Sequence, residues 1–76
     1  MPHVTIRIAS GRTEAQKTEL AAAITQAVVA VAGVGEDAVS VGIEDVDRDD
    51  WVEAVYRPEI QAKADTLYKK PGYDPL

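Results

Sequence analysis

The sequence predicts an α/β protein built on a single β-α-β unit, and three observations predict it. Val4, Ile6 and Ile8 alternate with Thr5, Arg7 and Ala9. Val39, Val41 and Ile43 alternate with Ser40, Gly42 and Glu44 in the same way. Between the two runs lies a long segment whose apolar residues recur at helical spacing. A period of two marks a half-buried strand and a period near 3.6 an amphipathic helix. Strand, helix and strand in one short chain favour a right-handed crossover with parallel strands. The pattern also permits an antiparallel return.

The elements follow in order. Ser10-Gly11 interrupts the first strand. Thr13-Glu14-Ala15-Gln16 has the form of a capping box, with Thr13 as N-cap and Gln16 able to reach back to it. Leu20, Ile24, Ala27, Val28 and Val31 then predict the apolar side of a helix over about residues 13–32. Gly33 and Gly35 supply its stop. After the second strand comes an acidic stretch, Asp47-Arg48-Asp49-Asp50, read as a solvated loop before Trp51. Arg57-Pro58-Glu59 reads as the start of a short C-terminal helix, with proline in its first position and an acid in its first turn. Ile60, Ala64, Leu67 and Tyr68 give that helix an apolar side, and Pro71-Gly72 ends it. The tail Tyr73–Leu76 is expected either to pack on a neighbouring subunit or to fray.

Size bounds the function. Seventy-six residues predict one domain, residues 1–76. A chain this short buries only about 60% of its unfolded surface, so its core is marginal unless something staples it. There is no cysteine and one histidine, which removes disulfides and thiolate or His-rich metal sites. Phe is absent and the apolar residues are mostly Ala and Val. A two-stranded sheet also leaves its edges open. Oligomerisation is therefore the expected source of extra burial, with a dimer as the first expectation and a hexamer as the second. The net charge of −5 argues against nucleic acid as a partner. No apolar run approaches the ~20 residues of a membrane span, so a cytoplasmic protein is expected.

The candidate chemistry begins at Pro2. A small second residue generally allows the initiator Met1 to be trimmed, and trimming would leave a secondary amine as the first group of the chain. Such an amine is a base. Its use near neutral pH requires an apolar surrounding or a nearby cation, both of which disfavour its charged form. A proline in an edge strand is also tolerated for purely structural reasons.

Pro2, the strand Val4–Ile8, the junction Gly11-Arg12-Thr13 with Gln16-Lys17, and the strand Val39–Ile43 resemble the 4-oxalocrotonate tautomerase family. The Trp51 region, the Pro58 helix and Lys70-Pro71-Gly72-Tyr73 are most similar to its dimeric bacterial branch of phenylpyruvate-type tautomerases. The resemblance implies a β-α-β protomer whose sheet is completed by oligomerisation. It implies a keto–enol tautomerase acting on a small 2-oxo acid enol, with Pro2 as general base after Met1 is removed and with neither metal nor organic cofactor. Arg12 stands where the family binds the substrate carboxylate, and its planar fork suits that group. Trp51 stands where the family has an aromatic pocket wall; packing in a core or interface is the bland alternative. Ser40 departs from the pattern, because many relatives carry a second arginine there. A serine donates one hydrogen bond without positive charge, which favours a monocarboxylate such as an aryl pyruvate enol. His3 is expected at the surface or an interface, on the strand face opposite Pro2.

Asp45, Asp47 and Asp49 fit the first three ligand positions of a calcium loop, but the sixth position is Asp50 rather than Gly and the twelfth is Tyr56 rather than Glu. That reading fails. The alternative to an isomerase is a non-catalytic small oligomer that binds a carboxylate or serves in assembly.

Overall fold

The computed structural model describes residues 1–76. β1 (His3–Ala9) is followed by α1 (Glu14–Ala32), a short 3-10 turn, and β2 (Ser40–Val46). The two strands are parallel and pair from His3 opposite Ser40 to Ala9 opposite Val46. The connection through α1 thus makes the expected β-α-β unit, and the antiparallel alternative is excluded.

α1 begins as its sequence requires. Thr13 is in extended conformation, its hydroxyl accepts from the Gln16 amide at 3.1 Å, and Gln16 Oε1 accepts from the Thr13 amide at 2.9 Å. Two of the helix's orphan amino-terminal donors are satisfied in this way. Gly33 ends the helix in the left-handed region at φ 70°. The side turned toward the sheet carries Ala21, Ile24, Thr25, Val28 and Val29, all half-buried. Ala27 and Val31, expected on that side, are exposed, Val31 by 90%. Lys17 fixes the helix to β2: its ammonium lies 2.7 Å from Asp45 and 2.6 Å from Glu14. The hydrogen bond with Asp45, followed by the one with Glu14, holds the Lys17 pKa above the ordinary lysine value.

The C-terminal region corrects the sequence reading. The helix begins at Val52, six residues before Pro58, and ends at Gln61; it is a π-helix with Pro58 inside it. The Ala62 amide bonds to the Arg57 carbonyl, a five-residue step, at 3.0 Å. In an α-helix the ring of Pro58 would press on the carbonyl of Ala54. The wider π spiral relieves that collision, so proline marks a widened interior turn rather than a start. The expected helical stretch through Tyr68 is reduced to one 3-10 turn at Ala64–Thr66. The acidic stretch also differs from a plain loop: Arg48–Asp50 forms an exposed 3-10 turn that leads into Trp51.

The π-helix packs where the strands end. Val46 and Val55, 8% and 4% exposed, are the only two buried residues. Arg7 crosses from β1 to pair with Glu44, at 3.0 Å, and with Glu59 of the π-helix. The core is too small to explain a stable free chain. Its accessible surface is 5676 Å², against about 4,500 Å² for a compact monomer of this mass. Its radius of gyration is 13.8 Å, against about 11 Å for a compact chain of this length. The molecule is a slab of 39 × 31 × 18 Å with unburied faces.

Gly11 turns the chain out of β1 at φ 127°, a region that side chains rarely adopt. A Cβ added there meets nothing within 4 Å, so the cost of Gly11→Ala is conformational, about 1–3 kcal/mol. Urea denaturation is expected to show a lowered midpoint with an unchanged slope.

Candidate active site

Parallel strands place their carboxyl ends together, and ligands of such sheets gather beyond those ends. Here the two ends are pinned: the Ser10 amide donates to the Val46 carbonyl at 3.0 Å, and the Ser10 hydroxyl donates to Asp47 at 3.2 Å. The residues that follow β1 and β2 therefore border one another. Between them and the π-helix opens a cavity of about 450 Å³, within the usual size of small-molecule sites. Arg12 comes to it from the β1–α1 junction and Arg48 from the turn after β2. Trp51 and Val52 contribute from the start of the π-helix, and Tyr73 from the tail.

Arg12 is exposed, and its guanidinium donates to the Ala9 carbonyl at 2.9 Å, which holds it over the end of β1 while leaving other donors open. Trp51 is half-buried, and its indole N–H donates to the Tyr73 hydroxyl at 3.0 Å. Tyr73 in turn stands against Tyr56, ring centroids 6.0 Å apart. The tail therefore packs on its own chain. Sequence reasoning misses Tyr73 and Arg48: one stands in a tail expected to pack on a neighbouring subunit or to fray, the other in an acidic stretch that reads as a solvated loop. The Pro71-Gly72-Tyr73 run was the signal for the first.

Pro2 and Ser40 lie elsewhere. The Ser40 amide donates to the Pro2 carbonyl at 3.2 Å, at the amino ends of the strands. The Ser40 hydroxyl shares a 2.6 Å hydrogen bond with His3 Nδ1, and His3 Nε2 is 3.3 Å from the Thr5 hydroxyl. His3 is exposed, as expected. Pro2 precedes β1 and Arg12 follows it. With a rise of ~3.3 Å per residue the seven steps from Pro2 to Ala9 span roughly 23 Å. The straight strand between them keeps the Pro2 and the Arg12 of one chain apart. Pro2 is half-buried, whereas Met1 is fully exposed. While Met1 is attached, the Pro2 nitrogen is a tertiary amide without basicity.

A β-α-β chain with an arginine- and tryptophan-lined cavity beyond the carboxyl ends of its strands has the form of a small-molecule enzyme. The chain belongs to the tautomerase family: the family's sequence model, described as "Tautomerase enzyme", matches residues 2–59. It is 42% identical over 76 residues to a probable tautomerase of Xylella fastidiosa (strain 9a5c), covering 100% of this chain and 93% of that one. It is 43% identical over 74 residues to the tautomerase PptA of Klebsiella pneumoniae (strain 342), covering 96% and 97%. Among solved structures it is similar to a 4-oxalocrotonate tautomerase isozyme from Methylibium petroleiphilum, with TM-score 0.61 and 35% identity over 63% of this chain and 75% of that one. The protein is thus an isomerase of the keto–enol tautomerase type.

Proposed function

We propose that this tautomerase acts on the enol of a small 2-oxo acid of the phenylpyruvate kind, with the Pro2 amine as its general base once Met1 is removed. Arg12 holds the carboxylate through its fork. Trp51 supplies an aromatic wall for the substrate ring and keeps water from the amine. Ser40 borders the base at the amino ends of the strands. The proton moves between the 2-oxygen and C3, and Pro2 carries it.

The observation behind this reading is the separation of the two halves of the site along β1. A strand edge left open on a slab-shaped chain invites a second copy. Two copies related by a twofold axis, with their β1 strands running antiparallel, set the Pro2 of each beside the carboxyl end of its partner's β1. Such a pairing completes the sheet and joins base to arginine, with the surface excess described above as its driving force. The active form is accordingly a cytoplasmic homo-oligomer, a dimer before a hexamer.

The test combines three measurements on the purified protein: intact mass, sedimentation, and ketonisation of phenylpyruvate enol followed by absorbance. Loss of the Met1 mass, an oligomer at micromolar concentration and a rate well above the uncatalysed one are expected. A stable, active monomer rules out the shared site.

A further inference from the structure

The cavity holds one cation more than a single carboxylate requires. Of its three arginines, Arg7 is neutralised by Glu44 and Glu59. Arg12 carries the carboxylate role proposed above. Arg48 lines the same cavity, yet its guanidinium makes no hydrogen bond and has no carboxylate within 4.0 Å. Its acidic neighbours do not claim it: Asp47 accepts from the Ser10 hydroxyl, and neither Asp49 nor Asp50 forms an ion pair. An unpaired cation beside an apolar wall, in a chain of net charge −5, is placed for an anion that arrives with the ligand.

The chemistry states where that anion forms. Removing a proton from C3 of a 2-oxo acid, or protonating its enol there, passes through a state with negative charge on the 2-oxygen. A group that binds only the carboxylate holds ground and transition states alike and leaves kcat unchanged. A donor aimed at the developing oxyanion raises kcat. The neutral Ser40 hydroxyl is already engaged by His3. We propose that Arg48 is a catalytic residue that takes the substrate's 2-oxygen as it becomes an enolate, beside Arg12 on the carboxylate. This inference rests on the tautomerase reading of the cavity and on Arg12 as carboxylate holder.

The experiment compares wild type, Arg48→Ala, Arg48→Lys and Arg12→Ala, all free of Met1. Arg48→Ala is expected to lower kcat on the order of 10–100-fold, the loss of one charge-assisted hydrogen bond, with KM shifted less than about threefold. Arg48→Lys is expected to recover part of that loss. Calorimetric titration supplies a readout independent of turnover. 3-Phenylpropanoate, which has the ring and carboxylate but no 2-oxo group, should bind wild type and Arg48→Ala equally and Arg12→Ala weakly. Phenylpyruvate should bind wild type more tightly than Arg48→Ala. Arg48→Ala losing both ligands in parallel, losing neither, or showing its defect in KM alone overturns the proposal. A wild type that fails to turn over phenylpyruvate enol but keeps the phenylpyruvate preference removes the tautomerase substrate reading and leaves Arg48 as the 2-oxygen binder.

Discussion

Replacing Pro2 with alanine in protein free of Met1 is expected to lower kcat/KM for ketonisation on the order of 10²–10⁴-fold, the usual contribution of a positioned general base. The same loss is expected in otherwise native protein that retains Met1. The two changes are chemically unlike. Alanine substitutes a primary amine without the ring, whereas retained Met1 keeps the ring and removes the basicity. A mechanism that uses the ring nitrogen as a base predicts that both inactivate. The half-buried Pro2 carbonyl is already committed to the Ser40 amide, so the backbone there is held in either variant. Circular dichroism and sedimentation should therefore be unchanged. Activity that survives Met1 retention excludes the amine.

Arg12→Ala carries the second large effect. Losing a charge-assisted pair to a carboxylate costs about 1.5–3 kcal/mol, on the order of 10–100-fold in kcat/KM. The loss is expected in KM rather than kcat, because the carboxylate is held in ground and transition states alike. Arg12 touches no acid of its own chain; its bond is to the Ala9 carbonyl. Its removal leaves no buried charge unpaired, and stability should stay within about 0.5 kcal/mol of wild type. Steady-state kinetics beside a urea titration separate the two quantities. A matching fall in stability would assign Arg12 to the fold.

The β-α-β half of the molecule was readable because its signals are local. Alternation set the strands, and Thr13 with Gln16 set the helix start to the residue. The C-terminal half was not, because its signals depend on tertiary contacts. Pro58 obeys the rule for a helix start, yet the burial of Val55 and the pairing of Glu59 with Arg7 favour a helix that runs past it. Arg48 looked solvated among three aspartates, since sequence does not show that the turn after β2 faces the end of β1. The distance between Pro2 and Arg12 within one chain follows from β1, which lies between them. An extended strand turns the positions between them into most of the length of the molecule.

Those two residues, so separated, make complementation the direct test of a site shared between copies. Pro2→Ala and Arg12→Ala proteins, each weakly active alone at substrate well below the KM of either, are unfolded together at equal concentration, refolded and assayed at that substrate level. If Pro2 of one chain works with Arg12 of its partner, each mixed dimer holds one intact site, and about a quarter of wild-type activity returns by random pairing. A mixture no more active than its separate parts contradicts a catalytic site built from Pro2 and Arg12 of different chains.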